Sequence, residues 1–409
     1  MAAVGATVRS LARRKTAVLT LDTLTTSIAG PGASEFMRGA LPPLLARMAV
    51  RLEGAPASLA AMPALGELTR WYGDSAVAVD GLGGGEDLAA ALNAIERDGN
   101  RVRGAVFDAM AGGGGDAALP DEAAADAFLV DFYARRLTLR LLLGQYRACA
   151  GAANLDYQAN TFAALDRDGS GVLDSDALSR ARSLYDVSAD GRALPPPRPS
   201  VCGLVDRAMA PFDVAVQAVA DVQAECARAP GNPDRSIPPF TIHGLGQRST
   251  LPYLPRHLYR ILRDVLRNAA RATLLKRARA ARSSSSPLEE IAVVISDGAD
   301  NDDVVVKVAD NGGGIPRSRV KRLFSFAGAR EARAVAAELA DPENCRALGP
   351  DSLGPSPPDI LHEDGGHGLP VARVYARFFN GDIRILSMEG HGTDAYVYIS
   401  KVDNNVLPT

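Results

Sequence analysis

The β-branched run Val304-Val305-Val306-Lys307-Val308-Ala309 leads directly into Asp310-Asn311-Gly312-Gly313-Gly314, and no other stretch restricts the fold as tightly. Valines favour a pleated strand. Three successive glycines make a turn whose backbone can approach something closely. A strand ending in D-x-G-x-G therefore sets a carboxylate at a sheet edge beside bare backbone. Upstream, Leu258, Ile261, Leu262, Val265, Leu266 and Ala269 recur at helical spacing, which predicts a helix from about His257 to Arg282. Its other face carries Arg260, Asp264, Asn268 and Arg271 at i, i+4, i+8 and i+11. Downstream, Asp364-Gly365-Gly366-His367-Gly368-Leu369-Pro370 opens a predicted helix near Gly368–Phe379. Glu389-Gly390-His391-Gly392-Thr393-Asp394 forms a tight turn between predicted strands Ile383–Ser387 and Ala395–Ile399. With Ile291–Ile295 as a further strand, the pattern after Pro252 predicts a sheet covered on one face by helices.

These residues carry a coherent chemistry. A carboxylate and an amide one helical turn apart, Asp264 and Asn268, suit a hydrated Mg²⁺, which takes oxygen ligands and retains waters. The same carboxylate can accept a proton from an attacking hydroxyl. Asp310 can accept a hydrogen bond from an adenine amino group, and the Thr393 hydroxyl can reach the base. Glycines before a helix N-terminus offer N–H groups and a favourable dipole to phosphate. Singly, each motif is as well explained by a solvated face or a plain turn. Their order carries the inference.

The rest of the chain reads differently. From about Ser34 to Ala150 the apolar residues keep helical spacing: Leu41, Leu44, Leu45, Met48 and Leu52 in one stripe, Phe128, Phe132, Leu137, Leu139, Leu142 and Leu143 in another. Glycines at 81–85 and 112–115 separate the helices, and Leu204–Ala227 predicts a further amphipathic one. Residues 150–200 form an insert that ends in Pro195-Pro196-Pro197. The first 30 residues, with Arg9, Arg13, Arg14 and Lys15 and no acid before Asp22, suit a mitochondrial or plastid transit segment. A net charge of −3 provides no basic field for nucleic acid, and no apolar run approaches transmembrane length. The four cysteines and five histidines show no metal-ligand spacing.

The order N-x-x-R, D-x-G-x-G, G-x-G-L-P, G-T-D resembles the signature of the GHKL (Bergerat-type) ATPases. The flanking words narrow the resemblance. His257-Leu258-Tyr259, Asn268-Ala269-Ala270-Arg271-Ala272-Thr273, Leu323-Phe324-Ser325-Phe326 and Ser387-Met388-Glu389-Gly390-His391-Gly392-Thr393-Asp394-Ala395 are similar to the mitochondrial pyruvate dehydrogenase kinases. So is Phe128-Leu129-Val130-Asp131-Phe132-Tyr133-Ala134-Arg135-Arg136 in the helical half.

This resemblance implies an N-terminal four-helix bundle domain over 31–229 and a C-terminal α/β sandwich of the GHKL type over 240–402. A lid at about 326–365 and a tail at 403–409 complete that division. It implies a serine kinase that uses ATP and Mg²⁺ to phosphorylate and inactivate the E1α subunit of the pyruvate dehydrogenase complex. A homodimer, recruitment by an E2 lipoyl domain and the mitochondrial matrix follow from the same likeness. Residue by residue, it makes Asp264 the general base, Asn268 the Mg²⁺ ligand, Arg271 a nucleotide contact and Asp310 the adenine anchor. Gly312, Gly314, Gly366, Gly368 and Leu369 become shapers of the phosphate and lid region, with Thr393 behind the base.

This chain departs from the family at three of these positions. Asp264 replaces a glutamate, Arg260 a histidine, and Asp364 the first glycine of the phosphate turn. Aspartate reaches about one methylene less far, and a misplacement on the order of 1 Å can cost ~10²-fold, so slow catalysis is expected. Two alternatives stay open: a branched-chain ketoacid dehydrogenase kinase, or a nucleotide-binding pseudokinase scaffold. A two-component histidine kinase does not fit, because no histidine precedes His243. Separately, Asp166-Arg167-Asp168-Gly169-Ser170-Gly171-Val172-Leu173-Asp174-Ser175-Asp176-Ala177 matches an EF-hand loop at positions 1, 3, 5, 6, 8 and 9, with Ala177 in place of the bidentate glutamate. Weak Ca²⁺ binding by Asp166, Asp168, Ser170 and Asp174 is one expectation; an ion-free polar loop is the other.

Overall fold

The computed structural model describes residues 4–30, 32–82, 88, 90–92, 94–95, 121–150, 170, 172–175, 178, 200–228, 235–246, 250–280, 288–298, 301–326, 368–401 and 407–408. The 326–365 lid beyond Phe326, Gly366, and Asp166 and Asp168 of the EF-hand-like loop lie outside these residues.

The N-terminal half is helical: α1 (Ala6–Ala12), α2 (Leu21–Thr26), α3 (Ala33–Glu53), α4 (Ala57–Ala60), α5 (Pro63–Asp80) and α6 (Glu122–Ala150). Helix α3 continues through Pro42 and Pro43. An interior proline costs about 3 kcal/mol. Met37, Leu41, Leu44, Leu45, Met48 and Leu52 are all buried along α3, and each such burial gives about 1.5–3 kcal/mol, so packing wins. Helices α1, α5 and α6 pack on α3.

The basic first segment is folded into this core. Val8, Leu11, Leu19, Leu21, Leu24 and Ile28 are buried. The Arg47 guanidinium donates to the Ala12 and Arg14 carbonyls and to Thr16 Oγ1. Arg9 makes a two-pronged bond to Glu53.

A short antiparallel sheet follows, with β2 (Val201–Cys202), β3 (Val205–Met209) and β5 (Leu251–Tyr253) in the order β2-β3-β5. The helix expected from Leu204 starts later, as α7 (Pro211–Arg228), because Val205–Met209 pairs as a strand. Pro211 has its φ preset for the first helical turn and lacks an N–H that would be orphaned there. Helix α7 is buried on nearly every face and packs chiefly on the long helix of the other half, α8 (Pro255–Ala280). Of the four-helix bundle expected, the described residues thus show α3, α5 and α6 together, with α7 turned towards α8.

The C-terminal half is one six-stranded sheet in the order β1-β4-β6-β7-β9-β8. Its strands are β1 (Val172–Leu173), β4 (Phe240–Gly246), β6 (Ile291–Asp297), β7 (Asp303–Asp310), β8 (Asp382–Met388) and β9 (Gly392–Ser400). Strands β4 and β6 run parallel, joined through α8; every other pair is antiparallel. Helix α8 lies on β7 and β9, and α10 (Gly368–Phe378) lies on β8 and β9 beside α8. A short helix, α9 (Arg317–Val320), follows the glycine turn after β7. One face is therefore covered by helices, as the periodicity predicts. Strand β4 escapes the sequence reading because its F-T-I-H-G-L-G ends in glycines and follows a Pro-rich stretch.

Candidate functional site

Two turns and the first residues of α10 meet the polar face of α8. Helix α8 presents Asp264 about two turns before Ala272, and the Gly312 turn lies directly on Ala272. A Cβ placed on Gly312 would stand 2.4 Å from the Ala272 Cβ, so no side chain fits there. Gly314 takes φ +70°, and a Cβ on it would collide with the Met388 carbonyl at 2.0 Å. The turns after β7 and between β8 and β9 are stitched together: the Gly313 N–H donates to the His391 carbonyl at 3.2 Å, and the Gly390 N–H to the Gly313 carbonyl at 2.8 Å.

The strand registers align three polar residues across adjacent strands. Asp310 stands opposite Thr393, and Thr393 opposite Ser387. The Ser387 and Thr393 hydroxyls lie 2.9 Å apart, and the Ile315 N–H donates to Ser387 Oγ at 2.7 Å. Asp310 Oδ1 accepts from the Gly312 N–H at 2.8 Å. Burial raises the Asp310 carboxyl to about 6, against the lowering effect of N–H bonds from Gly312 and Thr393. Lys276 Nζ donates to the Asn311 carbonyl at 2.7 Å, holding the glycine turn to α8. The sequence assigns no role to Ser387 or Lys276 by itself, although Ser387 opens the S-M-E-G-H-G-T-D run and Lys276 continues the Asp264–Asn268 face by two more turns.

At the other end of α8, Arg260 Nε donates to Asp264 Oδ2 at 2.8 Å, both side chains being buried. Gly368, the first residue of α10, faces Asp264: a Cβ there would lie 3.8 Å from Asp264 Oδ1. That is ordinary contact, so Gly368 is not sterically compelled. Leu369 is partly buried against the core just beyond it. Asn268 is exposed one turn along the helix, and Arg271 is partly buried. Burial, then Arg267, lowers the Arg271 guanidinium.

His257, one turn before Arg260, is buried with its ring 4.8 Å from Tyr375 and 5.4 Å from Phe379. Burial, and then Arg140 and Arg260, pushes it down to about 3, so it stays neutral and joins α8 to α10 rather than exchanging protons. Ahead of the lid, Phe326 stacks on Tyr133 at 5.0 Å and its N–H donates to Asp126 at 2.9 Å. Arg322 pairs with Glu122 at 2.6 Å. The segment leading into the lid is thus docked on α6.

The structure therefore brings together Asp264, Asn268, Gly312, Gly314, Gly368, Leu369, Asp310 and Thr393 around one helix and two turns. An α/β layer with this cradle is an ATP-binding domain of the GHKL class. Residues 253–403 match the family described as histidine kinase-, DNA gyrase B-, and HSP90-like ATPase. The chain is 27% identical over 388 residues to the mitochondrial [pyruvate dehydrogenase (acetyl-transferring)] kinase of Arabidopsis thaliana, covering 92% of this chain and 86% of that one. It is 34% identical over 163 residues to the Drosophila melanogaster kinase of that name, covering 38% of this chain and 33% of the relative. It is 30% identical over 176 residues to isozyme 1 of Homo sapiens, covering 43% of this chain and 35% of the relative. The matches to the fly and human kinases thus span about a third of those proteins. Residues 253–403 thus carry a domain of that ATPase family, and the chain as a whole is similar to the pyruvate dehydrogenase kinases.

Proposed function

We propose that this protein is a mitochondrial protein-serine kinase that transfers the γ-phosphate of Mg-ATP to the E1α subunit of the pyruvate dehydrogenase complex and so inactivates it. One observation carries the reading: α8 holds a buried carboxylate at one end of a continuous polar face and a glycine cradle at the other. Eight residues of helix, about 12 Å, separate Asp264 from Ala272. A nucleotide lying along α8 would put its base at Asp310, Gly312 and Thr393 and its phosphates towards Asn268 and the α10 N-terminus.

Asp264, fixed through one oxygen by Arg260, would take the proton of the attacking serine hydroxyl as that oxygen bonds to phosphorus and ADP leaves. No cluster of three or more His, Cys, Asp or Glu side chains stands together among the described residues. The donor set thus suits a Mg²⁺ held by Asn268, phosphate oxygens and water, where it would neutralise charge on the phosphates. Matrix localisation, a homodimer and docking on an E2 lipoyl domain belong to the same proposal and rest on the likeness to the pyruvate dehydrogenase kinases. The test is radiolabelled ATP with purified E1α subunits: label should appear on the pyruvate dehydrogenase E1α serines. Label on the branched-chain enzyme alone would move the substrate to that complex.

A second reading draws on the buried Arg260–Asp264 pair. A carboxylate already bonded to a guanidinium is a poorer proton acceptor in geometry, and the protein would then act as an ATP-binding scaffold. ATP binding without turnover on any E1α would favour it.

The adenine contact predicts a pH dependence. A carboxylate accepts from an amino group, and its protonated form does not do so equally. Asp310 is charged above about 6, so affinity is full above that value and lost as pH falls through it, by about tenfold per unit below. Calorimetry with adenosine, which has no phosphate to titrate, should show binding at pH 7.5 weaken by about tenfold at pH 5. Equal affinity at both values removes Asp310 as the anchor.

Ca²⁺ at the 166–177 loop is a further part of the proposal. Its support is that Val172–Leu173 extends the six-stranded sheet beside β4, while the Val172 N–H donates to Ser170 Oγ at 3.2 Å. An ion held by this loop would therefore bear on the kinase sheet. Calorimetry on the intact protein should show heat at millimolar Ca²⁺; a flat trace ends this part.

A further inference from the structure

Cys149 and Cys202 stand 53 positions apart at the two ends of the 150–200 insert, yet one buried side chain holds both. Cys149 is in the last turn of α6 and Cys202 in β2. Gln145 Nε2 lies 3.5 Å from Cys149 Sγ and 4.0 Å from Cys202 Sγ, and donates to the Leu24 and Cys202 carbonyls at 3.1 and 2.9 Å. Gln145 Oε1 accepts from the Leu204 N–H at 2.7 Å. The intervening Gly203 is held at φ +63° against Gln145, where a Cβ would come within 2.6 Å. The Cys202 thiol itself donates to the Thr25 carbonyl at 3.5 Å. Both are only half-buried, so a small oxidant can reach them, whereas Cys226 is buried.

We propose that Cys149 and Cys202 form a reversible disulfide that staples the ends of the insert, with a low-molecular-weight disulfide such as oxidised glutathione as oxidant. One protein thiolate attacks the reagent's S–S bond, releasing one reagent thiol and leaving a mixed disulfide. The second protein thiolate attacks the protein sulfur of that mixed disulfide and releases the other reagent thiol. Both cysteine protons end on the released thiols; the protein is oxidised and the reagent reduced. The Cys149 thiol is pushed up to about 11 by burial and then by Cys202. Its thiolate is scarce near neutrality, so the reaction is slow and accelerates with pH.

The test uses the full chain with oxidised glutathione, digested without reductant and mapped by mass. The expected product is one linked peptide pair joining Cys149 to Cys202, two hydrogens lighter than the separate peptides. Its rate should rise by about tenfold from pH 7 to 8. The melting temperature should rise by a few degrees and fall back with dithiothreitol, since a cross-link closing a long loop restrains the unfolded chain. Cys149→Ser and Cys202→Ser should each lose the linked pair and carry a single glutathione on the remaining cysteine. Separate glutathione on both cysteines of the parent, no modification at all, or a link through Cys226 or Cys345 overturns the proposal.

Discussion

Asp264→Asn should lower phosphate transfer to E1α by about 10²–10⁴-fold, the usual contribution of a positioned general base, while Mg-ATP binding persists. The substitution keeps the shape of the side chain, so an oxygen can still accept from Arg260 Nε at the present 2.8 Å. What disappears is the capacity to take a proton. The change also removes the charge facing a buried guanidinium, and loss of one member of such a pair costs about 3–5 kcal/mol in general. A lower melting temperature is therefore expected and must be read beside the rate. Asp264→Glu separates the two effects: it keeps the charge, restores reach, and should transfer phosphate at the parent rate or faster. If the asparagine variant keeps transfer within tenfold of the parent, Asp264 is not the proton acceptor.

Removal of residues 1–30 should abolish cooperative unfolding altogether. Leu11, Leu19, Leu24 and Ile28 are each no more than 2% exposed, and truncating even one such leucine to alanine costs about 2–5 kcal/mol. Four together, on the order of 8–20 kcal/mol on that scale, rival the roughly 5–15 kcal/mol that holds a typical domain. Arg47 would also lose its three bonds to Ala12, Arg14 and Thr16. The far end of the chain depends on the same ground, for the Leu407 N–H donates to the Leu19 carbonyl at 2.7 Å and Leu407 is buried. Calorimetry or circular dichroism on the truncated protein should show no sharp transition. A variant that melts within about 5 °C of the parent would show that this segment is dispensable, as a removable presequence must be.

Much of the site was legible before any tertiary contact was known. The spacing of Arg260, Asp264, Asn268 and Arg271 fixed a helical face, because helix periodicity is local and the i, i+4 rule needs no partner. Strands β6, β7, β8 and β9 were equally plain, since alternating valines and isoleucines have few other uses. Strands β4 and β3 were hidden. Each is defined by a partner distant in sequence, and neither F-T-I-H-G-L-G nor V-D-R-A-M declares its pairing in its own pattern.

The sequence by itself determined the helix face and the glycine turns, because each follows from backbone geometry over a few residues, and the resemblance of their order to the GHKL ATPases pointed to a nucleotide. Only the tertiary structure decided that Gly312 rests on Ala272, that Ser387 and Lys276 lock the turns, and that the basic N-terminus fills the helical core. Those outcomes depend on which surfaces exclude water together, and burial is a property of the whole packed chain rather than of any segment.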